Sequence, residues 1–181
     1  MTAPLTPLTL LDSPADVLAR YEAALANDQL VQSDWHSTAD DGRWLACALG
    51  VIGNEVEAPR DCPASIMPRW LAQLVPAFFD RQSFDDAKGW GLRFYQALAA
   101  VKGVVPFSAI HHWHAHTVCA LGIEAAEKRG RDPAPHKALQ ALHLRALVGE
   151  KIGADEWRPV LKDAYAYAYA YAYANADAYA N

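Results

Sequence analysis

SAIHHWHAHTVCALGIEAAEKRG, residues 108–130, is the stretch on which the fold reading turns. It is the longest segment that reads as one uninterrupted helix. Lys128 and Arg129 suit the negative end of the helix dipole, and Gly130 supplies the stop. Downstream, Asp132-Pro133 opens another helix that runs to Val148, with Gly149 as its stop. A last helix starts near Asp155, where Pro159 is expected to be tolerated in or near the first turn.

Upstream the same logic repeats. Ser13, Pro14 and Asp16 mark a helix start of capping-box type. Val17, Leu18, Tyr21, Ala24 and Leu25 then recur at helical spacing, and Asn27-Asp28 ends the run. A second helix is predicted from residues 38–41 to Ile52, with Trp44, Leu45, Ala48, Leu49 and Ile52 as its apolar stripe and Asp40-Asp41 at its positive end. Residues 55–64 read as a loop. Pro68 and Pro76 bracket a short helical piece rich in Trp70, Leu71, Leu74, Phe78 and Phe79, expected in the core. Ser83 caps the next helix, with Asp85-Asp86 in its first turn. Its buried face is Ala87, Trp90, Phe94, Tyr95 and Leu98, and Gly103 closes it. No convincing strand remains. The expected fold is all-α, an irregular bundle of six or seven helices.

The chain has 181 residues, 52% apolar and 20% charged, with a formal net charge of −5. This composition is that of a folded domain, and its acidity disfavours non-specific nucleic-acid binding. No run of 18 apolar residues is present, so no membrane span is expected. Residues 1–11 lack a basic segment and carry Pro4 and Pro7, so they do not read as a signal peptide. Cys47, Cys62 and Cys119 are odd in number and irregularly spaced, which suggests free thiols and a cytoplasmic protein. Cys47 is expected to be buried and Cys62 exposed beside Asp61, where an acid does not favour a thiolate. The expected organisation is one helical domain over residues 1–163 and a low-complexity tail over residues 164–181.

The tail reads AYAYAYAYAYANADAYAN. As a strand, all its tyrosines would share one face, with an aggregation hazard. The helix is favoured, because alanine is the best helix former and Trp157 to Asp163 leads into the tail without a break. Tyr165, Tyr169, Tyr173 and Tyr179 would then line one side, with Tyr167 and Tyr171 opposite. Tyrosine combines contact area with a polar tip, so the first four are candidate partner-binding residues.

Four of the seven histidines fall within six residues: His111, His112, His114 and His116. At 100° per residue, His112, His116 and Cys119 lie within about 60° of each other on a helix. Imidazole and thiolate both suit zinc, so these three form a candidate metal set. His136 and His143, seven apart on the following helix, could supply its other half. The alternatives are packed or exposed histidines and an acid–base cluster without metal. There is no HExxH, GxSxG or phosphate-binding glycine loop, and no catalytic residue is assigned.

Residues 42–49 (GRWLACAL) and 62–71 (CPASIMPRWL), with Trp157 leading into an alanine-rich tail, are similar to segments of small uncharacterised proteins of phages and prophages. That resemblance implies an accessory protein without an established activity and supplies no catalytic residues. The expected function is non-enzymatic protein binding, in a phage setting directed at a host defence or host enzyme. The partner is another protein or a second copy. Two alternatives stay open: a structural protein that self-assembles through the tyrosine-rich tail, and a histidine-based, metal-dependent enzyme.

Overall fold

The computed structural model describes residues 8–179, with side chains through residue 167. It is mainly helical, and the chain divides into two compact units at Val105/Pro106 rather than at Ala164. The expected single domain over residues 1–163 is therefore corrected. The physical reason lies in the last helix, which packs on the helix before it and so belongs to the second unit instead of forming a separate tail.

The first unit is built on α1 (Pro14–Ala26) and α4 (Phe84–Ala100), which pack on each other. Pro14 sits in the first turn of α1, where its missing N–H costs nothing. Ser13 holds the N-cap position, but its side chain makes no capping hydrogen bond. The helix ends with Asp28 at φ +52°. The amide of Gln29 then donates to Ala24 O at 2.8 Å, closing a Schellman-type turn. In α4 the Ser83 Oγ accepts from the Asp86 amide at 3.3 Å, and Asp85 and Asp86 occupy the positive end.

The contact between α1 and α4 centres on Tyr21 and Tyr95, fully buried, with ring centroids 5.3 Å apart. Tyr21 Oη donates to Lys88 O at 3.1 Å, and Tyr95 Oη donates to Ala48 O at 2.5 Å. Each phenol therefore meets an acceptor, which removes the penalty of burying a hydroxyl. Trp90 and Phe94, expected in the core, are half-buried, and Gly91 takes the buried position instead. A Cβ on Gly91 would lie 2.1 Å from Tyr21 Oη, so the helices approach there only because the side chain is absent.

Residues 38–52 depart from the expected helix. They form an antiparallel hairpin of β1 (His36–Thr38) and β2 (Trp44–Ala46), followed by a 3-10 turn over Gly50–Ile52. The turn explains why. Gly42 takes φ +82°, and the Asp41 carboxylate accepts from the Arg43 amide at 3.1 Å and from Arg43 Nε at 2.7 Å. Asp41 is thus a turn residue, not a helix-end acid. Arg43 Nη1 also donates to Asn27 O and Asp28 O, at 3.1 and 3.0 Å, and binds the hairpin turn to the end of α1. Between hairpin and α4 lie a 3-10 turn (Pro59–Asp61), α2 (Arg69–Ala72) and α3 (Val75–Asp80). Of the large residues expected in this core segment, Phe79 is fully buried and the others are half-buried. Cys47 is buried as expected, though in the hairpin's continuation; Cys62 is half-buried against the core rather than exposed.

The second unit holds three helical rods. The first is continuous but not uniform: α5 (Ser108–Trp113), a π-helical turn (His114–Val118) and α6 (Cys119–Lys128). Next come α7 (Ala134–Leu147) and α8 (Ala154–Tyr179). Gly130 and Gly149 take positive φ where the first two rods stop. The tail is helical through Tyr179, as expected. Pro159 is the sixth residue of α8, just past its first turn, and it leaves the Asp155 carbonyl without its intrahelical donor close to the helix start. Among the described residues, no helix is long and apolar enough to cross a membrane.

The Tyr21–Gly91 contact gives a direct test. An exposed Gly→Ala change inside a helix gains about 1 kcal/mol. Gly91→Ala should instead destabilise the first unit by about 1–3 kcal/mol through overpacking, read as a lower urea midpoint with unchanged m-value.

Candidate functional site

The site lies in the second unit and begins with the π-turn. A π-turn adds one residue to the helix and shifts everything after it around the axis. It also frees a carbonyl. Here Ala115 O accepts from Gln140 Nε2 of α7 at 2.7 Å, so the irregularity is tied down by the neighbouring helix.

The shift decides where the histidines go. His112 and His116 sit side by side with ring centroids 4.5 Å apart, and both are exposed. Cys119, their expected third partner, is 1% exposed and packs with Leu139 and Ala164 in a small apolar cluster. Burial pushes its thiol up, away from the thiolate that binds metal or attacks carbon. The candidate set His112, His116 and Cys119 is thus split. His136 and His143 are split as well: His136 meets the Tyr167 ring edge-on at 5.3 Å, while His143 joins a different group.

That group is His111, His114, His143 and Trp157. His111 Nδ1 and His143 Nδ1 lie 2.9 Å apart, so one donates a proton and the other accepts. His114 stacks on His143 at 4.6 Å with 14° between the planes. Trp157 of α8 stacks on His111 at 5.8 Å and meets His143 at 5.0 Å. His143 is 7% exposed. Its burial, with His114 and His111 beside it, pushes it down to about 4. Burial and the charge of His111 also lower His114. At neutral pH the core of the cluster is therefore uncharged.

Such a group is built for packing. Near-parallel rings hold their lone pairs in separate planes, so His114 and His143 do not converge on one ion. Among the described residues, no three histidine, cysteine or acidic side chains are placed to hold a metal. The i, i+3 spacing of His111 and His114 was the sequence signal for this face. His143 and Trp157 join it only through the tertiary fold.

Beside the cluster, the π-turn and the start of α6, together with α7 and α8, line an open groove of about 620 Å³. Val118, Leu139, Leu161 and Ala164 form its apolar wall, and His114, His136 and Lys162 are its nitrogen-bearing residues. His136 is seated close to α6 because Gly122 has no side chain: a Cβ there would lie 2.9 Å from His136 Nδ1. Tyr165 stands at the edge of the groove and is 72% exposed. It is the one candidate partner-binding tyrosine whose side chain is described. Those of Tyr169, Tyr173 and Tyr179 lie outside the described residues.

The free thiols of the first unit offer no nucleophile either. Burial pushes Cys47 up to about 11 and Cys62 up to about 12.

The histidine cluster sets a pH dependence. His143 titrates below its ordinary value of about 6.5, so between pH 6.5 and 4 the unfolded chain binds more protons than the folded one. Its contribution is complete above about pH 6.5 and is lost as pH falls towards 4. Fluorine NMR of 5-fluorotryptophan protein, with Trp157 assigned by mutation, should show its denaturation midpoint falling across that range. A midpoint that stays flat from pH 7 to 4 would contradict the burial of His143.

Comparison with protein-family models, curated proteins and solved structures finds no match for this chain.

Proposed function

We propose that the protein is a non-enzymatic binding protein that engages a partner protein through α8. The observation that carries this reading is the way α8 is seated. His143 meets Trp157 and His136 meets Tyr167, so α7 and α8 run antiparallel. Ala134, the first residue of α7, lies two residues beyond His136. The helical backbone of α8 therefore continues past the end of α7 from about residue 170, for roughly 15 Å at 1.5 Å per residue. Trp157 and Val160 pack against the small cluster around Cys119 on one side of α8, while Tyr165 stands exposed on another.

A helix held at its base and extended past the end of α7 suits helix-in-groove or helix-on-helix recognition. Tyrosine and alanine give such a surface area without charge. The raised thiols and the packed, neutral histidines favour binding over catalysis. The resemblance to phage accessory proteins agrees with a small protein that acts by occupying a partner, and a host protein is then the expected target. A cytoplasmic setting fits the free cysteines.

Placing p-benzoylphenylalanine at position 165 tests this in cells that express the full chain. Irradiation should give one dominant covalent adduct with a different protein, reduced at least fivefold when residues 168–181 are removed. An adduct only with a second copy of the chain would favour self-assembly. No adduct at all would count against α8 as a contact surface.

A further inference from the structure

The groove lined by the π-turn, α6, α7 and α8 has a chemical character that the partner surface does not explain. Its volume of about 620 Å³ falls in the range of small-molecule sites, roughly 300–1,000 Å³. Its wall is aliphatic where Val118, Leu139 and Leu161 meet. Leu161 is 48% exposed on that wall. Cys119 and Ala164 also line the groove and are buried.

The nitrogen-bearing groups at the groove, Lys162, His136 and His114, stand beside the Tyr165 phenol and the Cys119 thiol. No aspartate or glutamate lines the groove among the described residues. Among the described residues Lys162 makes no ion pair, whereas Lys128, Lys137 and Arg145 of the same unit each pair with a glutamate. On a chain of net charge −5, an aliphatic groove with an uncommitted ammonium and an imidazole at its edge is complementary to one class of ligand. That class has an apolar body and a single anionic head.

We propose that this groove binds a single-chain amphipathic carboxylate. The chain lies along Val118, Leu139 and Leu161, and the carboxylate accepts hydrogen bonds from Lys162 Nζ and the His136 ring. Lys162 supplies a mobile point charge and His136 a directional N–H donor. The inference rests on the groove lining and does not need a protein partner, so it stands or falls separately from the role of α8 in protein binding.

Isothermal titration of the purified full chain with dodecanoate, below its micelle concentration, tests the proposal. The expected result is one site per chain, with dodecanol binding at least tenfold more weakly. Lys162→Glu should weaken dodecanoate at least tenfold and leave dodecanol unchanged, because Lys162 is exposed and its replacement leaves the core intact. Leu161→Trp should fill the groove and abolish both. Equal affinities for dodecanoate and dodecanol, or affinity indifferent to Lys162→Glu, would overturn the anionic-head assignment. No binding of either amphiphile to a protein with native circular dichroism would overturn the site.

Discussion

The seat of Trp157 against His111 and His143 is the contact on which the second unit depends. An isolated helix of alanine and tyrosine is marginal in water, because its first turn is costly to nucleate. Here the base of α8 is held by an indole on two imidazoles, by Val160 at the small apolar cluster and by the exposed Arg145–Glu156 ion pair, 2.7 Å long. The ion pair adds little by itself, since exposed pairs are worth about 0–1 kcal/mol. The aromatic contact and the apolar burial carry the weight. Once the base is set, alanine's propensity favours continuation of the helix, which runs to Tyr179.

The first unit solves a different problem. Its connections between α1 and α4 are long, and their backbone groups need partners. Polar side chains supply several of them, Gln32 with Phe79 O and Tyr95 with Ala48 O among them. Arg20 Nη1 donates to the carbonyls of Thr9, Val51 and Ile52 at 2.8 to 3.2 Å. Gln29, 3% exposed, donates to Trp44 O, and Arg43 reaches the carbonyls of Asn27 and Asp28 just after α1. The hairpin and the turns after it are thus fastened by side chain to backbone bonds around a Tyr21–Tyr95 centre. A long arginine or glutamine is suited to this, because it reaches across a gap that a ladder cannot close.

The helices with local punctuation were legible in the sequence. Pro14, Ser83, Gly130 and Gly149 each act within one turn of the residue that reveals them. The hairpin was missed although Asp41-Gly42 is a strong turn signal, because Trp44, Leu45, Ala48, Leu49 and Ile52 also fit a helical stripe. The histidine site was legible only as a concentration of imidazoles. A uniform 100° step puts His112, His116 and Cys119 together, and the π-turn invalidates that step in the middle of the segment. The groove was not legible, since its lining comes from three rods and its register depends on that same turn. The tail could be read because alanine dominates it, whereas the meeting of His136 and Tyr167 across two helices could not.

The central claim is that α8 is a formed helix, seated on the second unit through Trp157, Val160 and Tyr167. Hydrogen exchange by mass spectrometry on the full chain at neutral pH tests it most directly. The account predicts that peptides covering residues 157–167 exchange at least a hundredfold more slowly than their intrinsic rates, and that Trp157→Ala removes this protection while peptides of the first unit stay unchanged. Exchange of residues 157–167 at intrinsic rates in the unaltered protein would contradict it.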